Sequence, residues 1–176
     1  NLINLKKYKA IILGIRASNI YEFISQKNEI LNNYIFDGGV VISQYIKGNT
    51  INNKPISLGP IPFKINSQLR ITNENAPMVI LQPQLPLFNH PNKIELSDFD
   101  GWFQERSTYQ METKNPNFIQ PIQMNDPNEQ PSTGSLTIMP YGKGKFYYVS
   151  LALFRQIPIA NIGAFKLLIN MIESKN

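Results

Sequence analysis

A chain of 176 residues with a net charge of +5, of which 42% are hydrophobic, 11% aromatic and 16% charged, has enough apolar material for one core and too little charge for a disordered segment. Its 17 basic residues are scattered, with no dense block beside a stacking platform of aromatics, which argues against nucleic-acid binding. The absence of cysteine excludes disulfides, thiolate metal sites and a cysteine nucleophile, and no apolar run approaches the roughly 20 residues that span a bilayer.

A single domain over residues 1–176 is therefore expected. The chain starts without Met and without the apolar stretch of a signal peptide, and a strand-like run begins at Tyr8. It reads as a piece of a longer protein, with any targeting signal upstream and the compartment unassigned.

Tyr8-Lys9-Ala10-Ile11-Ile12-Leu13-Gly14 is a short apolar run with the pattern of a central strand buried on both faces of a parallel sheet. From 21 to 36, Phe23, Ile24, Ile30, Leu31, Tyr34 and Ile35 recur at helical spacing, and Asp37-Gly38-Gly39 supplies the stop. Residues 40–45 form a second buried strand, so strand, helix and strand make one βαβ unit. Residues 47–77, rich in Asn, Pro and Gly, predict a long excursion near the carboxyl edge of the sheet. Further strands are expected at 78–82, 118–124 and 135–139, with 89–94 as loop. The turn Tyr141-Gly142-Lys143-Gly144 leads into a strand at 145–150, giving an antiparallel hairpin. Residues 158–172 close the chain as a helix with Ile162, Phe165, Leu168, Ile169 and Ile172 on one face.

Chemistry concentrates in few places. The lone histidine, His90, stands in an Asn- and Pro-rich loop with no second ligand beside it, so it reads as a surface residue, not a base or metal ligand. Ser43 ends the second strand, where a nucleophile elbow would project, but no GxSxG motif accompanies it. Arg16 and Asn19 follow the first strand, where open α/β sheets place ligand loops, and equally suit local pairing and helix capping. Asp98, Asp100, Glu105 and Glu112 offer carboxylates for a glycosidase-like pair whose separation sequence cannot supply. Trp102, Gln104, Glu105 and Arg106 set the only tryptophan beside an amide, a carboxylate and a guanidinium, while Arg155 follows the last strand. That cluster reads either as a ligand surface or as a clamp, with Trp102 on the core and Glu105 paired to Arg16, Arg106 or Arg155.

Taken in order, Gly14-Ile15-Arg16-Ala17, residues 38–45, Pro62-Phe63-Lys64-Ile65, residues 72–77, residues 89–94, residues 98–106 and Phe154-Arg155-Gln156-Ile157-Pro158 resemble the C-terminal domain that follows the catalytic domain in many bacterial PIG-L/LmbE-type deacetylases. That domain is similar in fold to class I glutamine amidotransferases and the ThuA-like group. The resemblance implies a flavodoxin-like three-layer α/β/α sandwich, mostly parallel, with a C-terminal antiparallel hairpin and with strands before Tyr8 missing. Amidotransferase relatives carry a Cys at the elbow and a downstream His–Glu pair; this chain has neither, so glutamine hydrolysis is not expected. The zinc ligands of PIG-L enzymes belong to their catalytic domain, and none is found here.

The resulting expectation is a non-catalytic accessory domain that positions a carbohydrate or docks onto a catalytic deacetylase domain, with no cofactor and no metal. Its ligand-binding set would be Arg16, Asn19, Gln44, Tyr45, Trp102, Gln104, Glu105, Arg106 and Arg155, converging at the carboxyl end of the sheet. The competing expectation is a hydrolase of sugars or amides using Glu105 or another carboxylate as general base.

Overall fold

The computed structural model describes residues 4–173. At its centre is a four-stranded sheet in the order β1-β2-β10-β9. Strands β1 (Ala10–Leu13), β2 (Val40–Gln44) and β10 (Gly144–Val149) run parallel, and β9 (Leu136–Tyr141) pairs antiparallel with β10. The fold is thus mixed α/β with a mainly parallel central sheet. Gly142, with a φ of 58, turns the β9–β10 hairpin where a Cβ would strike the Phe36 carbonyl.

Val40, Val41, Ile42 and Ser43 are all buried, as a strand covered on both faces requires. Alternation along β2 and β10 divides the core. Val40, Ile42, Tyr147 and Val149 pack with Ala164, Leu167 and Met171 of α5 (Ile162–Glu173), while Val41, Phe146 and Tyr148 pack with Tyr34 and Ile35 of α3 (Asn28–Phe36). A helix therefore covers each face.

Several elements differ from the sequence reading. Among the described residues β1 is an edge strand, not a central one, and Ile12 is 45% exposed. The helix expected over 21–36 is two short ones, α2 (Glu22–Gln26) and α3, broken at Lys27, and a further short helix, α1 (Ala17–Ile20), precedes them, set off by the extended backbone of Tyr21. Polar side chains of this segment bind the excursion's backbone. Asn19 grips Lys47 through both ends of its amide, and Ser25 Oγ accepts from the Ser57 amide at 2.6 Å.

The excursion is not a plain loop. After a small hairpin, β3 (Thr50–Ile51) and β4 (Lys54–Pro55), comes β5 (Lys64–Ile71), paired antiparallel with β7 (Ser107–Glu112) across an irregular register between Asn66 and Arg70. A further pair joins β6 (Met78–Ile80) to β8 (Ile122–Met124), so only the end of the strand expected over 118–124 forms. Finally, α4 (Leu153–Gln156) precedes α5, whose buried side is Gly163, Ala164, Leu167, Asn170 and Met171. Ile162, Phe165 and Ile169, expected on the core face, are exposed. Among the described residues no helix is long and apolar enough to cross a membrane.

Candidate functional site

The carboxyl ends of β1 and β2 and the start of α4 gather a compact aromatic and ionic cluster. Tyr45, just past β2, sets its ring 5.4 Å from that of Tyr109 and 5.5 Å from that of Phe154. The Arg70 guanidinium lies 5.6 Å from the Tyr109 centroid and that of Arg155 lies 5.0 Å from the Phe154 centroid, both within cation–π range. Between the two guanidinium groups sits Glu105, which accepts from Arg70 Nη2 at 2.6 Å and from Arg155 Nε at 3.2 Å. Its carboxylate is nearly enclosed, whereas the Arg70 and Arg155 side chains keep 41% and 35% of their surface.

The local backbone explains why these groups meet. Tyr109 holds a left-handed φ of 57 within β7, and beside it the β5–β7 register shifts between Asn66 and Arg70. Arg16, also left-handed at φ 56, donates its backbone amide to the Tyr45 carbonyl at 2.8 Å, so the loop after β1 is tied to the end of β2. Burial is the main cause that pushes the Tyr45 hydroxyl above its ordinary range; Tyr109 and Glu105 add to this, while Arg16 and Arg155 oppose it. Arg70 is held above its usual value, chiefly by the hydrogen bond to Glu105.

Of the residues nominated from sequence, Tyr45, Glu105 and Arg155 come together here, with Arg16 in electrostatic reach of Tyr45. Gln44 ends β2 with its Oε1 enclosed and unpartnered. Asn19 is occupied with Lys47 and does not cap a helix.

The other three are placed differently. Trp102 is 3% exposed, packs on Phe99 with centroids 5.6 Å apart and donates Nε1 to the Asp98 carbonyl at 3.4 Å. Arg106 is buried over the Trp102 ring and donates to the Phe99 carbonyl; burial pushes its guanidinium below the usual value, against the pull of Asp100. Gln104 adopts a left-handed φ of 69, exposes its side chain and gives its backbone amide to the Glu74 carboxylate at 2.7 Å. With strand geometry starting only at Ser107, the alternation that would have set Trp102, Gln104 and Arg106 on one face does not operate.

Sequence reasoning passed over Arg70, Tyr109 and Phe154. Arg70 was hidden in a stretch read as loop, although Leu69-Arg70-Ile71 carries the alternation of a half-buried strand. The remaining carboxylates are dispersed. Asp98 accepts from Lys166 Nζ at 2.7 Å, Glu112 accepts from Asn66 at 3.2 Å, and Asp100 is exposed. Ser43 is buried and donates to the Gln44 carbonyl at 3.0 Å, and His90 lies exposed in its loop.

No protein-family model and no curated protein matches the chain. Solved structures do. The cold-adapted β-galactosidase from Rahnella sp. R3 superposes with a TM-score of 0.56 at 14% identity, over 98% of this chain and 24% of that one. The β-galactosidase from Bacillus circulans sp. alkalophilus superposes with a TM-score of 0.50 at 16% identity, over 92% of this chain and 23% of that one. At such identity the likeness is one of fold, and the chain spans about a quarter of the length of either neighbour.

Proposed function

We propose that this chain is a non-catalytic accessory domain of a larger carbohydrate-acting enzyme, serving to position a carbohydrate or to dock onto the catalytic domain. A PIG-L-type N-acetyl-sugar deacetylase is the parent that the ordered motifs imply, and the fold is then a flavodoxin-like three-layer sandwich of the amidotransferase-like kind. One observation carries the reading. Glu105, the enclosed carboxylate at the carboxyl end of the sheet, has both oxygens engaged by arginines, so neither oxygen is free to reach a substrate.

What the cluster does present is surface: guanidinium edges and half-buried aromatic rings, the combination that stacks on and hydrogen-bonds to a sugar. The occurrence of this fold as about a quarter of two β-galactosidase chains agrees with an accessory role in a longer carbohydrate-acting protein.

The test is direct. Purified chain is assayed for hydrolysis of N-acetyl sugars, glycosides and simple amides, and titrated calorimetrically with the same sugars. Absence of turnover together with sugar binding that Tyr45→Ala weakens at least tenfold is the expected result. Turnover abolished by Glu105→Gln would replace this reading with the hydrolase one.

A further inference from the structure

Arg16, Arg70 and Arg155 bring three guanidinium groups to the aromatic cluster past the carboxyl ends of β1 and β2, where Glu105 is the carboxylate that answers them. We infer that this surface takes an acidic saccharide: a sugar ring whose carboxylate or sulfate is bound by Arg155, with Arg16 and Arg70 adding charge, and whose C–H face stacks on the neighbouring aromatic rings. This rests on the carbohydrate reading above and narrows its ligand class from sugars in general to anionic ones.

Charge selects the class. Arg70 and Arg155 share the single carboxylate of Glu105, and Arg16, which acts on the same Tyr45 hydroxyl, is exposed and forms no ion pair among the described residues. Two positive charges are thus left uncompensated. A neutral sugar would leave that excess standing, whereas an anionic group offsets it.

Hydrogen-bonding capacity points the same way. Arg155 reaches Glu105 through Nε and Arg70 reaches it through Nη2, so most of each guanidinium's N–H donors are unspent. The Nη1 and Nη2 atoms of Arg155 have no hydrogen-bond partner among the described residues, and neither is enclosed, in contrast to the unpartnered Nε of Arg106. Side by side, they form the fork that matches two oxygens of a carboxylate or sulfate.

Preorganisation sets the cluster apart from solvated surface arginines. Glu105 fixes one edge of each guanidinium, while the Tyr109 and Phe154 rings hold the other contact at 5.6 and 5.0 Å. Much of the side-chain ordering that binding would cost is therefore met within the fold. The half-buried rings of Tyr45, Tyr109 and Phe154 add an apolar patch beside the charges. A bare anion would use the arginines and leave the rings idle.

The experiment is a ¹⁵N–¹H NMR titration of the chain with glucuronate, glucose 6-sulfate, glucose and inorganic sulfate, each up to about 50 mM at constant ionic strength, suited to the millimolar affinity of single sugars. At least one acidic sugar should bind about tenfold or more tighter than glucose, the scale of one charge-assisted hydrogen bond, with shifts at Tyr45, Tyr109 and Arg155. Comparing the two acidic sugars identifies the preferred anionic group. Arg155→Ala should cut the preference to about threefold or less, and Arg155→Lys, which keeps the charge without the fork, should retain part of it. Dispersed spectra certify that each variant is folded. Glucose binding as tightly as both acidic sugars, or a preference unaltered by Arg155→Ala, overturns the inference while leaving the carbohydrate reading intact. Inorganic sulfate binding as tightly as the acidic sugars overturns it as well, since the ring would then contribute nothing. No shift with any sugar removes both.

Discussion

The Tyr148 hydroxyl, in a residue with no exposed surface, donates to the Tyr109 carbonyl at 2.6 Å, and Tyr109 is the residue held in a left-handed backbone beside the β5–β7 irregularity. A core strand thereby fixes an unfavourable backbone whose side chain forms the wall of the candidate site. Burial pushes the Tyr148 phenol far above the ordinary tyrosine range, so it stays a donor at any pH the fold survives. Tyr148→Phe leaves that carbonyl without its partner and should cost about 1–3 kcal/mol in urea unfolding. It should also disturb the Tyr45–Tyr109 ring pair, visible as a change in near-ultraviolet circular dichroism; unchanged stability would mean that Tyr109 is held by other contacts.

Gly163 shows where helix propensity loses to packing. On an isolated helix Gly→Ala gains about 1 kcal/mol, but a Cβ on Gly163 would lie 1.8 Å from the Asp98 carbonyl oxygen. Backbone must move, and overpacking of that kind typically costs about 1–3 kcal/mol. Gly163→Ala should therefore destabilise the chain and loosen the Lys166–Asp98 ion pair, which bridges the same contact at 2.7 Å. A thermal melt above that of the native chain would show that α5 slides at no cost.

Asp126 predicts acid sensitivity. Burial alone would raise its carboxyl, but the Thr72 hydroxyl at 2.7 Å, with the Asn73 and Thr72 amides at 2.9 and 2.7 Å, outweighs burial and the net direction is down. A folded value below the unfolded one of about 3.9 means the contribution is complete above the unfolded value and is lost as pH falls through the folded one. Stability should decline from about pH 5 downward. Asp126→Ala, which strands two backbone donors, should cost about 2–3 kcal/mol at pH 7 and flatten that decline. An unaltered acid slope would assign it to other carboxylates.

What the sequence disclosed follows from what each element needs. Val40-Val41-Ile42 is continuous apolar strand because both faces are covered, and it was readable as such. The location of α5 was readable too, yet not its orientation. Hydrophobicity put Ile162, Phe165 and Ile169 inward, whereas close approach to residues 96–99 requires glycine at 163. Asn170 could be buried because it spans the Leu87 and Asn92 carbonyls at 2.8 and 2.7 Å. β5 escaped notice because Asn66-Ser67-Gln68 interrupts its alternation at the irregular register, and Arg70 went with it. At the site, residue types were informative but partners were not, since Glu105 finds Arg70 from 35 positions away.

Trp102 and Arg155 entered the reading as members of one set, and the structure gives them opposite energetics. Trp102 fills the cluster formed by Phe99, Leu153 and Ala164, with only 3% of its surface exposed. Trp102→Ala should cost about 3–5 kcal/mol, as truncation of a buried aromatic does. The Arg155 side chain keeps 35% of its surface and shares Glu105 with Arg70, so its removal leaves the carboxylate one guanidinium and access to water. Arg155→Ala should cost no more than about 1 kcal/mol, the range of a solvent-screened pair. Chemical denaturation of both variants measures the contrast. Equal losses would make Arg155 part of the scaffold, whereas a large difference leaves it free to act on a ligand, because a side chain the fold does not need can change partners without unfolding the chain.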